Sequence, residues 1–68
     1  MRAGERLKAW RGDRPQEEIA QSLKVDQTTV SRIERGDVLP GLALAIAIEE
    51  LTDGHVPAAS WLKKTRAA

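Results

Sequence analysis

The chain contains no cysteine, no tyrosine, no phenylalanine and a single histidine. Without cysteine there is no disulfide, no thiolate zinc site and no cysteine nucleophile. One histidine excludes a multi-histidine metal site and leaves histidine-based acid–base catalysis little to work with. The missing tyrosine and phenylalanine remove the usual stacking platforms of single-strand RNA and DNA binders. Long apolar runs are missing too. The longest, Val38 to Ile48, falls well short of the ~20 residues that a membrane span requires. No secretory signal pattern opens the sequence, and it holds neither a Gly-rich phosphate cradle nor a Ser-His-Asp set. These absences argue against an enzyme and against a membrane protein. The expectation is a soluble cytoplasmic domain with no cofactor, no metal and no small-molecule ligand.

What is present is modest. Of 68 residues, 41% are hydrophobic, but ten of these are alanine. Seven Leu, four Ile, four Val, two Trp and one Met suffice for one small core and for no second domain. Net charge is +1, which by itself says nothing about nucleic acid. The basic residues lie mostly in the first half, where Arg2, Arg6, Lys8, Arg11, Arg14, Lys24, Arg32 and Arg35 outnumber the acids. Such a mixture is ordinarily a solvated surface, so the direction in which the charges point decides their meaning.

Period-2 alternation is nearly absent, whereas helical spacing recurs. Gly4 to Arg11 reads as a first helix with Leu7 and Trp10 inward, stopped by Gly12-Asp13. Pro15 stands where a helix begins, and Glu17 and Glu18 suit a first turn. Ile19, Ala20 and Leu23 form the apolar stripe of this second helix. Asp26 is placed to cap a third helix by accepting from the Thr28 or Thr29 amide. That helix runs to Arg35, with Gly36 closing it. Pro40-Gly41 opens a fourth helix ending near Thr52-Asp53-Gly54, and Pro57 starts a short fifth carrying Trp61 and Leu62. Lys63 to Ala68 reads as a frayed tail. The fold class is all-α, a compact bundle of four to five short helices in one domain spanning 1–68.

Two of these helices carry a functional geometry. The second and third are joined by Lys24-Val25-Asp26 alone, the spacing of a helix-turn-helix over residues 16–35. Ala20 is small where the helices cross, Val25 plugs the turn, and Val30 and Ile33 hold the third helix down. At about 100° per residue, the side opposite Val30 and Ile33 carries Thr28, Ser31, Arg32 and Arg35. Gln27 stands at its leading end and no acid interrupts it. A plain solvated helix would favour Glu and Lys for their helix propensity. Thr28, Thr29 and Ser31 serve that purpose poorly and suit contacts to base edges and phosphates.

The run Gln16-Glu-Glu-Ile-Ala-Gln-Ser-Leu23, followed by Val25-Asp-Gln-Thr-Thr-Val-Ser-Arg-Ile-Glu-Arg-Gly36, resembles the helix-turn-helix of the Cro and phage-repressor family. The resemblance covers roughly Arg6 to Leu51. It implies that Gln27, Thr28 and Arg32, with Ser31 between them, read bases in the major groove of double-stranded DNA. It implies backbone contacts from Gln16 and Arg35. It also implies an Arg11–Glu34 pair that orients Arg11 beside the backbone instead of making it read a base. The sequence departs from the family at Lys24, where glycine is usual, and Lys24 could itself approach a phosphate. Pro15 replaces the usual Ser or Thr cap, the link between the first two helices is shorter by about two residues, and Asp26 would repel a phosphate that the family often binds there. The expected function is a sequence-specific, nucleoid-associated DNA-binding regulator, a small Cro-like repressor. The alternative is an antitoxin-like module that masks a toxin and autoregulates its operon.

A single unit of this kind reads few base pairs, so specificity calls for a two-fold dimer on half-sites about 34 Å apart. In the fourth helix Leu44, Ile48 and Leu51 are expected to face the core. Leu42 and Ile46 fall on the other side, with Glu49 and Glu50, as an apolar patch. A homodimer through this helix and segment 55–68, with Trp61 at or beside the interface, follows. The competing arrangement folds Val56, Trp61 and Leu62 back over the patch within one chain. His55 reads as an exposed turn residue and Glu49-Glu50 as solvent-facing acids. Lys63, Lys64 and Arg66 read as a solubilising tail that could add phosphate contacts.

Overall fold

The computed structural model describes residues 2–62, so the expectation for the tail from Lys63 to Ala68 lies outside the described residues. The chain runs through α1 (Ala3–Arg11), α2 (Gln16–Leu23), α3 (Gln27–Arg35) and α4 (Leu42–Leu51). A 3-10 turn, Ala58–Trp61, follows. Among the described residues there is no strand and no helix long and apolar enough to cross a membrane.

The helix ends follow local chemistry. Pro15 precedes α2 in extended conformation and Glu17 and Glu18 occupy the first turn, where acids oppose the positive end of the helix dipole. At its other end Lys24 adopts the left-handed region at φ 60°. The Val25 amide bonds back to the Ala20 carbonyl at 2.9 Å and the Lys24 amide to Gln21 at 3.2 Å. This is a Schellman closure, completed by Val25 packed half-buried against the core. A non-glycine residue pays about 1 kcal/mol for that conformation. Gly36 closes α3 in the same way without that cost, its φ being 83°. Asp26 does precede α3, but its side chain makes no capping bond. The expected cap is therefore not formed: the Thr29 and Val30 amides bond to the Asp26 main-chain carbonyl, at 3.0 and 3.3 Å, and the exposed carboxylate stays hydrated.

The core is built from Leu7, Ile19, Ala20, Leu23, Val30, Ile33, Ala45, Ile48, Val56 and Trp61. Gly4 sets the closeness of α1 to α3. A Cβ there would lie 2.5 Å from the Ile33 carbonyl oxygen and 2.7 Å from that of Glu34, nearer than real Cβ atoms approach.

The α4 register is rotated from the expectation. Its buried stripe is Ala45, Ile48 and, just past the end, Thr52, while Leu44 and Leu51 are half-buried. The small Ala45 side chain lets α4 lie close, and Thr52 can be buried because its hydroxyl is satisfied. Its Oγ1 donates to the Ile48 carbonyl at 2.8 Å and accepts from the Val56 amide at 3.1 Å. Glu49 is likewise no mere solvent-facing acid, since its Oε1 accepts from the Ala58 amide at 2.9 Å. These bonds fold residues 55–61 against α4 and bury Val56 and Trp61. The expected fifth helix is a single 3-10 turn, and Leu62 lies beyond it, exposed. His55 is exposed, as expected.

Candidate nucleic-acid interface

α3 is held by Val30 and Ile33, both essentially inaccessible. Its opposite side is thereby turned outward. Gln27, Thr28, Arg32 and Arg35 are exposed and Ser31 is half-buried at the edge. No acid lies among them. The acid of this helix, Glu34, is buried instead, with 6% of its surface exposed.

A buried carboxylate needs partners, and Glu34 has three donors. Arg11 Nε donates to Oε2 at 2.8 Å and Arg11 Nη2 to Oε1 at 3.0 Å. Gln16 Nε2 also donates to Oε1, at 3.0 Å. The Arg11–Glu34 pair expected from sequence is thus a two-pronged fork joining α1 to α3. The hydrogen bonds that Arg11 donates to Glu34, opposed by burial and reinforced by the Glu34 charge, raise the Arg11 pKa above its ordinary value. Arg11 Nη1 donates to the Arg14 carbonyl at 2.7 Å. Its guanidinium is mostly committed to the protein.

Glu34 also fixes the next residue outward. An ionised carboxylate only accepts, so Gln16 must turn its NH2 toward it and its carbonyl away. Gln16 Oε1 then accepts from Gln27 Nε2 across a long 3.4 Å. A polar relay runs from Arg11 through Glu34 and Gln16 to Gln27, linking α1, α3 and α2 to the leading end of the exposed stripe. Gln27 keeps one N–H and its Oε1 uncommitted in this arrangement.

Two residues near the site escaped the sequence reading. Arg14 places its guanidinium carbon 4.0 Å from the centroid of the Trp10 ring and donates to the Trp10 and Arg11 carbonyls. This clasp orders the short link ahead of α2, and its signal was the i, i+4 spacing of Trp10 and Arg14. Asp37 pairs with Arg35 at 3.2 Å, both side chains more than half exposed. Lys24 is exposed at the turn, close in sequence to the stripe.

Leu42 and Ile46 are exposed, at 76% and 44%, and Leu39 and Leu62 are exposed with them. Leu39, Leu42 and Leu62 rim a groove of about 380 Å³ that Ala45, Ala58 and Trp61 also line. Trp61 itself is only 7% exposed. The C-terminal segment has therefore folded back within the chain, yet it leaves Leu42, Ile46 and Leu62 uncovered.

A family model described as helix-turn-helix matches residues 7–57, well over half of the chain. No curated protein and no solved structure matches it.

Proposed function

As the chain belongs to the helix-turn-helix family of DNA-binding transcription regulators, of the Cro and phage-repressor type, we propose that it is a repressor reading a palindromic operator as a homodimer. α3 lies in the major groove. Gln27 offers its remaining N–H and Oε1 to an adenine edge, which presents an N7 acceptor and an N6 donor side by side. Arg32, exposed in mid-stripe, suits guanine O6 and N7. Thr28 and Ser31 add shorter contacts to bases or to the backbone. Gln16, Lys24 and Arg35 bind phosphates, and Arg11 supports them chiefly by holding Glu34 and, through it, Gln16. The observation that carries this reading is the acid-free outer face of α3, with its one acid buried under a three-donor network.

The homodimer rests on the exposed Leu42, Ile46 and Leu62, with Trp61 as part of the floor between them. The same patch favours the second reading, an antitoxin-like module that covers it with a different protein. Fluorescence anisotropy with random genomic duplex at two salt concentrations tests the DNA reading. Affinity that falls steeply with salt supports it, and no binding at low salt would sink it.

A further inference from the structure

Beside the reading face lies a trough of about 700 Å³ between α1 and α3. Gly4, Arg11 and Glu34 line it, Ser31 and Arg35 bring it to the edge of the stripe, and Arg2 and Lys8 stand along α1. Two of the three acids of this trough are paired with cations. Glu34 holds Arg11 and Gln16, Asp37 holds Arg35, and Glu5 accepts from the Arg2 main-chain amide at 3.2 Å. Arg2 has no side-chain acceptor to return, so its guanidinium takes no part in capping α1. It reaches over instead to the end of α3, where a Cβ built on Gly36 would lie 3.7 Å from its Nη1. Lys8 and the Arg2 guanidinium are exposed and make no ion pair among the described residues.

From this distribution we infer that the trough seats a stretch of the DNA sugar–phosphate backbone, with Arg2 and Lys8 as phosphate contacts outside the helix-turn-helix itself. The inference rests on the DNA reading above and extends the footprint from α2 and α3 to α1. A polyanion is the fitting occupant because the two cations left over stand at separate places along an open channel, as successive phosphates do. Glu34, neutralised by Arg11, need not be displaced, and the exposed pair of Asp37 with Arg35 is worth little. Glu5, bonded only to a main-chain amide, keeps its charge, so the occupant meets a trough of modest positive balance. Contacts of this kind position the protein and carry no base information.

The test compares anisotropy titrations over a range of salt for wild type, the double variant Arg2→Gln/Lys8→Gln, and Arg6→Gln. Arg6 is an exposed cation on the same helix that does not line the trough. Glutamine keeps the Arg2 main-chain amide and is a good helix former, and circular dichroism checks that the fold is unchanged. Each lost phosphate contact lowers the slope of log K against log salt by about 0.9, so the double variant should lose about 1.8. It should weaken binding to random and preferred duplex by the same factor, while Arg6→Gln leaves the slope alone. The inference is overturned if the double variant loses less than one contact's worth of slope, or if Arg6→Gln lowers the slope as much. Wild type that binds no duplex at all would overturn the DNA reading and this inference together. Wild type that binds while the double variant keeps its slope overturns this inference alone.

Discussion

Arg32 and Arg35 lie three residues apart on one exposed side of α3, and the proposed function gives them different work. Arg32→Ala should cost ~1–3 kcal/mol on the preferred site and relax discrimination at one base position. Arg35→Ala should weaken all sequences alike and flatten the salt slope by about one unit. Binding measured on preferred and random duplex separates the two, and equal losses on both for Arg32→Ala would make it a backbone contact. Glu34 gives a prediction of another kind. Removing one partner of a buried ion pair strands the other, so Glu34→Ala should lower stability by about 3 kcal/mol in urea denaturation. Unchanged stability would mean that the Arg11 fork contributes nothing to the fold. At this scale the sequence was legible where spacing alone placed a side chain. The outward set on α3 follows from the inward Val30 and Ile33, and the Arg11–Glu34 pair followed from a resemblance. The relay through Gln16 to Gln27 was not legible, because it depends on how α2 sits beside α3. Nor was the depth of Glu34, which wheel geometry alone leaves on the flank.

The elements owe their boundaries to features that are local and therefore readable: Gly12, Pro15, Gly36 and Gly41 all mark helix ends. Lys24 was readable as a strained residue only through the resemblance, which places glycine at that turn position. The packing of α1 was less readable, since Gly4 looks in sequence like a mere weak helix former. The structure gives it a reason in the Ile33 and Glu34 carbonyls that pass beneath it. Gly4→Ala, normally favourable inside a helix, should here cost roughly 1–3 kcal/mol by overpacking against backbone. A thermal melt checks this, and a gain in stability would show that α1 can lift away freely. The rotation of α4 has a similar origin. The reading set Leu44, Ile48 and Leu51 on its buried side, but an alanine-rich helix can bury Ala45 most deeply and leave Leu44 and Leu51 at the edge of the core. Thr52, buried and fully bonded, completes a stripe that hydrophobicity alone does not reveal.

For the molecule as a whole, one small core positions two separate surfaces, the polar stripe of α3 and the apolar patch around Leu42. All-α architecture was legible from composition and helical spacing. What covers the patch was not, since helical spacing turns Leu42 and Ile46 outward but names no partner for them. If a second copy covers it, Ile46→Glu should give a folded monomer that binds a palindromic site far more weakly than wild type. Sedimentation that finds wild type monomeric at roughly tens of micromolar, both free and on DNA, would contradict this. The central claim is that the outer face of α3 meets double-stranded DNA. Its most direct test is amide chemical-shift mapping during titration with a duplex carrying the preferred site. The account predicts the largest changes at Gln16, Gln27, Thr28, Ser31, Arg32 and Arg35, with α4 perturbed little once any dimer is already formed. Changes confined to Leu39, Leu42, Ile46 and Leu62, with the α3 face silent at saturating duplex, would contradict it.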